Sequence, residues 1–254
     1  VKILSWNVNG IRAAGRKGFL DWFLDYAPDV LCVQEIKAME EQIPLELRDI
    51  EGYSSFFFPA LRKGYSGTGL WTASMPLRVI SGMGNGEFDA EGRVQIAEYG
   101  EFTLFNVYFP NGKASPERLD FKMRFYDALF EAAEERREKG ERVVICGDVN
   151  TAHKPIDLAR PEANANVSGF LPEERAWIDR LLDAGYIDTF RRFDPSPDKY
   201  TWWDYKTGAR ARNVGWRIDY FFADPALSGN LRDAFILAGV VGSDHCPVGI
   251  ELQF

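Results

Sequence analysis

Four short polar clusters stand where apolar runs stop: Asn7-Val8-Asn9, Gln34-Glu35, Gly147-Asp148-Val149-Asn150 and Ser243-Asp244-His245. A buried strand has no internal use for a carboxylate, because taking an unpaired one out of water is costly. Such a group belongs at a strand end, where a cation, water or hydrogen-bond donors can satisfy it. One cluster of this kind is ordinary turn chemistry. Four of the same character point to strand ends converging on one rim, as a pocket of oxygen ligands and amide donors.

Carboxylates without partnered thiols suit a hard cation, magnesium with manganese as substitute, and not zinc. Asparagines add neutral carbonyls for a metal or water and NH₂ donors for an anionic oxygen. A histidine beside an aspartate, as His245 is beside Asp244, stays protonated when a second carboxylate pairs with it. Asp219, in the run Arg217-Ile218-Asp219-Tyr220, is the natural partner. This set fits hydrolysis of a phosphate ester: a carboxylate positions water, and cation and donors hold the transition state. His153 reads instead as a hydrogen-bonded loop histidine, since the sequence identifies no carboxylate partner for it.

The elements that must position these residues are legible as one continuous domain over 1–254, without repeats or linkers. Alternation predicts strands at 2–8, 29–35, 53–58, 68–73, 93–99, 102–109 and 142–148. The pair 93–99 and 102–109 is joined by Gly100-Glu101, the spacing of a tight hairpin. A helix is expected over 16–26, closed by Pro28. A long one should run from the cap Ser115 and Pro116 to about Lys139, with Met123, Tyr126, Leu129, Phe130 and Ala133 inward. A polar loop to about 171, a helix over 172–184 and strands at 200–205, 215–223, 234–240 and 247–254 complete the chain. Strands in both halves with helices between them indicate two packed sheets with helices on the flanks, an α/β or α+β architecture.

Composition narrows the class. With 46% hydrophobic residues the chain can bury a large core, and no apolar run has membrane-spanning length. The opening residues read as a strand and not as a signal peptide, so a soluble, intracellular protein is expected. Three cysteines without CxxC spacing argue against a disulfide framework and for small buried hydrophobes. A net charge of −8 counts against a DNA-binding surface. The distribution softens that objection: Lys199, Lys206, Arg210, Arg212 and Arg217 gather in 199–217 against Asp204 alone.

The motifs SWNVNGIRA, LCVQEIK, GYSGTGLWT, NVYFPNG, CGDVNTAH, NVGWRIDYFF and GSDHCPV occur here in the order seen in abasic-site endonucleases of the exonuclease III type. The chain resembles that group, within the endonuclease/exonuclease/phosphatase superfamily, from residue 3 to about 250. GDxN or SDHxP singly marks only the superfamily. NVGWRIDY and the segment 157–178 favour the nuclease branch. The resemblance implies a four-layered sandwich of two mixed sheets flanked by helices, with the site where the strand-end loops of both sheets meet. It implies a magnesium-dependent enzyme, monomeric, that acts on double-stranded DNA with abasic or damaged nucleotides. Incision 5′ to the lesion, with 3′-exonuclease or 3′-phosphodiesterase activity on the same site, would follow.

Carried residue by residue, the resemblance makes Glu35 the principal metal ligand and Asp148 the group that aligns or deprotonates water. Asn150, Asn7 and Tyr108 would contact the scissile phosphate or its neighbours. His245, paired with Asp219, would bind a non-bridging oxygen, and Asp244 would lie near the leaving oxygen or a second metal position. Asn111 and Asn164 match residues around the target nucleotide, and Trp202, Trp203 and Trp216 match the pocket for a flipped-out deoxyribose. Arg12 and Tyr65 match backbone contacts. Asn9, a metal-side residue, stands where many members have Asp. Lys113 follows Asn111-Gly112 where vertebrate relatives place a duplex-inserting Arg. Lys206 replaces an intercalating Met, and Val167 replaces an amide residue of the recognition loop. Two readings compete. A phosphatase of phosphoinositides or sphingolipids would share the catalytic set but not the basic, Trp-rich segment 199–217. A silent DNA-binding module would not need so many carboxylates, which repel DNA without a metal.

Overall fold

In the computed structural model, which describes residues 1–254, alternating apolar residues form fourteen strands. These are β1 (Lys2–Asn7), β2 (Val30–Gln34), β3 (Ser54–Phe58), β4 (Thr68–Thr72), β5 (Arg78–Ser81), β6 (Val94–Glu98) and β7 (Thr103–Tyr108). They continue as β8 (Val143–Asp148), β9 (Ile187–Asp188), β10 (Trp202–Trp203), β11 (Gly215–Trp216), β12 (Asp219–Ala223), β13 (Leu231–Ile236) and β14 (Val248–Leu252). One sheet has the order β13-β14-β1-β2-β4-β3 and the other β5-β6-β7-β8-β12-β9. Strands β10 and β11 pair separately.

Each large sheet is built around one parallel pair, β1 with β2 and β7 with β8, and its remaining pairings are antiparallel. Parallel pairing brings both C-terminal ends to the same rim. Asn7 is in register with Gln34 in one sheet, and Tyr108 with Asp148 in the other.

Period two along these strands divides the core into layers. Ile3, Val30, Cys32 and Leu70 of one sheet meet Leu104, Val144, Cys146 and Phe221 of the other. On the outer side of the first sheet, Leu4, Trp6, Leu31 and Trp71 pack on Ile11 and on Phe19 and Phe23 of the helix Phe19–Tyr26. On the outer side of the second, Phe105, Val107 and Ile145 pack on the helices Pro116–Glu138 and Pro172–Asp183 through Phe125, Leu129, Trp177 and Leu181. The result is helix, sheet, sheet, helix: the four-layered sandwich expected.

Between the sheets lies one polar lock. Gln34 Nε2 donates to Ser5 Oγ (2.9 Å) and to Asn106 Oδ1 (2.8 Å), and Asn106 Nδ2 donates to the Gly69 carbonyl (2.9 Å). Buried amides that find partners fix one register between the layers. Here that register sits one residue before Glu35 and two before Tyr108.

Several expected boundaries moved. The helix begins at Phe19, because Gly18 takes a left-handed φ of 89° and separates it from a short turn of helix at Ile11–Gly15. The segment 200–205 yields only Trp202–Trp203, and 215–223 is cut by Arg217-Ile218 into two strands. Strand β13 starts at Leu231, where polar outward residues hide the alternation, and stops at Ile236. Two short strands, β5 and β9, and the helix Thr189–Phe193 carry too little pattern to be anticipated. The hairpin holds, closed by Tyr99 N–H to the Phe102 carbonyl at 2.9 Å. Ser115 caps the long helix by accepting from Arg118 N–H at 3.3 Å. The three cysteines are free and buried, and no helix is long and apolar enough to cross a membrane.

Candidate active site

Glu35 sits just beyond β2 with φ 55°, and Asn9 and Asn150 follow β1 and β8 at φ 47° and 56°. Left-handed backbone is tolerated by Asn but costs a Glu about 1 kcal/mol, so the turn is held by other bonds. The Glu35 carbonyl accepts from Gly10 N–H (2.8 Å), and Ile36 N–H donates to Gly67 O (3.1 Å). In β8 only glycine fits before Asp148: a Cβ at Gly147, whose φ is 136°, would meet the Val107 carbonyl oxygen at 1.8 Å.

Asn7 joins the two sheets' chemistry. Its Nδ2 donates to Glu35 Oε1 and to Asp148 Oδ2, both at 2.8 Å. Asp148 Oδ1 accepts Asn150 N–H (2.8 Å), and Oδ2 also accepts Asn150 Nδ2 (3.2 Å). Asn111 Nδ2 in turn donates to Asn150 Oδ1 at 3.1 Å. His245 faces the same carboxylate from the other side, with Nε2 at 3.8 Å from Asp148 Oδ2 and Nδ1 at 2.9 Å from Asp219 Oδ2. Asp219 is held by Thr201 Oγ1, which accepts the N–H groups of both Ile218 (3.0 Å) and Asp219 (3.1 Å).

These contacts set the charges. Burial opposes a charged imidazole, but Asp219 and Asp148 outweigh it, and the His245 pKa is pushed up to about 10. Burial pushes the Asp148 carboxyl up to about 7; His245 offsets part of that rise, while Asp219 and Glu35 add to it. Burial works to raise Glu35 as well, yet Lys37 and Asn7 hold it below the usual carboxylate range. For Tyr108, burial and then Glu35 push the phenol well above its ordinary value.

Ligand atoms of Glu35, Asp148 and His245 lie within 4.8 Å of one another and could hold a metal ion. A cationic ring whose Nδ1 is bound to Asp219 is a poor ligand, so the oxygens of Glu35 and Asp148 are the donors that fit a hard cation. Asp244 lies outside that triangle. Its Oδ1 accepts Asn9 Nδ2 (2.9 Å) and its Oδ2 accepts Trp202 Nε1 (3.0 Å).

The pocket that these groups line has a volume of about 200 Å³ and is walled by Trp202 and Trp216, with Tyr108, Asn111, Asn150, Lys113 and Asp244 around it. Trp202 is fixed there because its segment is laced to the His245 loop: Trp203 N–H donates to Asp244 O (3.0 Å) and Cys246 N–H to Thr201 O (2.8 Å). Trp203 itself points away. It is buried, donates to Asn213 Oδ1 (3.0 Å) and lies under the Arg210 guanidinium, outside the pocket. Asn164 is turned back on its own loop, with Nδ2 to Arg160 O at 2.9 Å. Lys206 and Arg12 are exposed beyond the pocket, Arg12 on a separate surface groove. Tyr65 lines an adjoining groove of about 770 Å³ with Arg62, Arg93 and Arg118.

Two readings of the sequence change. Arg217 contributes nothing to a basic face, since it is 1% exposed and bound to Asp157 and Asp188 at 2.8 and 2.7 Å. Arg210 is likewise engaged, by the carbonyls of Ala238 and Val240. His153 does have a carboxylate partner: Asp179 Oδ1, on a helix distant in sequence, lies 2.8 Å from its Nε2. Other residues were not anticipated. Lys37, two positions after Glu35 in QEIK, places Nζ 2.5 Å from both Glu35 Oε2 and Asn9 Oδ1. Arg93, buried, donates to Tyr108 O (2.8 Å) and lies 4.6 Å from that ring's centroid. A lone basic residue heading an apolar strand was its only signal.

Residues 4–245 match the model of the Endonuclease/Exonuclease/phosphatase family. The chain is 44% identical over 255 residues to an exodeoxyribonuclease of Bacillus subtilis, covering all of both proteins. It is 39% identical over 256 residues to a DNA-(apurinic or apyrimidinic site) endonuclease of Dictyostelium discoideum, covering all of this chain and 71% of that one. Among solved structures, a 3′-5′ exonuclease of Neisseria meningitidis superposes over the full length of both chains with a TM-score of 0.92 at 29% identity. With a family match over residues 4–245 and a carboxylate–imidazole cluster at the rim where both sheets end, this chain belongs to the endonuclease/exonuclease/phosphatase family.

Proposed function

We propose that the protein is a magnesium-dependent DNA repair nuclease that hydrolyses the phosphodiester 5′ to an abasic site in duplex DNA, leaving a 3′-hydroxyl. Manganese would substitute, and 3′-5′ exonuclease or 3′-phosphodiesterase activity would use the same groups. The observation that carries this reading is the Glu35–Asn7–Asp148–His245 chain, two carboxylates and a cationic ring meeting beside a Trp-walled pocket.

A divalent cation bound at Glu35 and Asp148 would polarise a phosphoryl oxygen and neutralise charge. The protein's own groups do the rest. Asp148, its pKa close to neutrality, orients a water and accepts its proton. His245 offers Nε2–H to a non-bridging oxygen while Asp219 keeps the ring charged. Asn7 holds the two carboxylates apart by donating to both. Asn150 and Tyr108 border the same space, and Trp202 and Trp216 offer apolar faces to a base-less sugar.

A duplex carrying one tetrahydrofuran abasic analogue tests this. A nick immediately 5′ to the lesion with magnesium, lost with chelator, is expected. DNA that is bound but uncut would support a binding module. DNA left untouched beside a cleaved phosphoinositide would support a lipid phosphatase.

A further inference from the structure

Lys113 follows Asn111-Gly112 in the loop after β7, and its ammonium is drawn over two indoles at once. Nζ lies 5.4 Å from the Trp202 ring centroid and 5.3 Å from that of Trp216. The two rings meet at 82°, so the amine stands in the corner they form, inside the pocket shared with Glu35, Asp148 and His245. Aromatic faces, and no carboxylate at ion-pair distance, are its neighbours. This corner is where a flipped-out deoxyribose would sit.

We propose that Lys113 gives this pocket a second activity: cleavage of ring-opened abasic sites by β-elimination, through an imine between its Nζ and the C1′ aldehyde. The proposal rests on the abasic-site reading given above. Desolvation lowers the amine's pKa despite the pull of Glu174, Asp148 and Asp204, which enlarges the neutral, nucleophilic fraction.

The steps balance without a metal or an oxidant. The neutral amine adds to the C1′ aldehyde, and the adduct takes one proton from solvent and loses water, giving a protonated imine. A pocket carboxylate takes the C2′ proton, and the C–H electron pair moves into a C1′–C2′ double bond, neutralising the nitrogen. The nitrogen lone pair then re-forms the C1′=N bond as that pair forms a C2′–C3′ double bond, the C3′–O bond breaks, and the phosphate leaves with its electrons. Water adds to C1′ and releases the lysine amine. The ends are an unsaturated aldehyde on the upstream strand and a 5′-phosphate downstream, unlike the 3′-hydroxyl left by hydrolysis.

The test uses a duplex with a natural abasic site, chelator to silence hydrolysis, and sodium cyanoborohydride to reduce any imine. A covalent protein–DNA adduct is expected, mapping by mass spectrometry to Lys113. Lys113→Ala and Lys113→Arg should each yield at least about tenfold less, since a guanidinium keeps the charge but is a poor nucleophile. Melting curves show whether the variants are folded, and mapping on the unaltered protein needs no variant. An adduct on Lys37 or Lys206, undiminished adduct in both variants, or no adduct at all overturns the proposal. The tetrahydrofuran duplex has no aldehyde and must give no adduct. If magnesium leaves that duplex unnicked as well, the abasic-site reading itself has failed.

Discussion

Asp148 ends β8 of one sheet and His245 lies in the loop that leads into β14 of the other, yet Asp148 Oδ2 and His245 Nε2 stand 3.8 Å apart. Burial pushes the Asp148 carboxyl up to about 7 although His245 opposes it, and Asp219 and Asp148 push the His245 ring up to about 10 against its burial. Between those values the carboxylate is ionised and the ring protonated, the pairing that water activation and phosphate binding need.

Activity is therefore expected to rise as pH climbs through the Asp148 ionisation and to fall as it passes about 10, where His245 loses its proton. A bound cation draws the acid limb below 7. The Asp219 carboxylate is what raises the ring above its ordinary value, so Asp219→Asn moves the alkaline limb to lower pH. Profiles of kcat/KM at fixed metal check this, and an unmoved alkaline limb would refute the pairing.

Asp148→Asn keeps the side chain's size but removes the proton acceptor and sets an NH₂ against N–H donors of Asn7 or Asn150. A loss of roughly 10²–10⁴ in kcat is expected, with the dissociation constant for uncleaved DNA changed only slightly. Single-turnover cleavage and fluorescence anisotropy separate the two quantities.

Asn7 donates to both Glu35 and Asp148, so it orients the donors expected to hold the cation. Removing such an orienting partner costs about 10–100-fold in metal affinity. Titration of Asn7→Ala with Mn²⁺, followed by electron paramagnetic resonance, reads the affinity directly. Affinity equal to that of the unaltered protein would exclude the role.

Lys122 and Glu174 form a fully buried pair at 2.7 Å, joining the two outer helices beneath the Asn150 loop. Lys122→Met leaves the Glu174 charge uncompensated and should destabilise by about 3–5 kcal/mol. Urea unfolding measures this, and the additional change Glu174→Gln should restore part of the loss.

Lys206 is exposed on the loop beyond the pocket. Lys206→Ala should lower the slope of log Kd against log salt by about one, without altering the position of the nick. Filter binding over a salt series checks it.

The strand-end clusters were legible because burial forces a simple rule on sequence: apolar runs alternate inside, and carboxylates collect where the runs stop. That rule found Asn7, Glu35, Asp148 and His245, and the motif order gave the family. Arg217 shows its limit. Read in sequence it belongs to a basic stretch, but in space it is sealed between Asp157 and Asp188, because the break between β11 and β12 places it against the remote segments that carry those aspartates. His153 and Asp179 show it again, as partners whose meeting depends on how one helix packs.

Residue types and their spacing determined the kind of chemistry and the layered architecture, since each follows from local burial and residue preference. Only tertiary structure decided that Lys37 reaches Asn9, that Lys113 enters the corner between Trp202 and Trp216, and that Trp203 turns away. Those facts depend on distances between segments remote in the chain. Such distances are set by the packing of two sheets and the polar lock between them, and no local pattern encodes them.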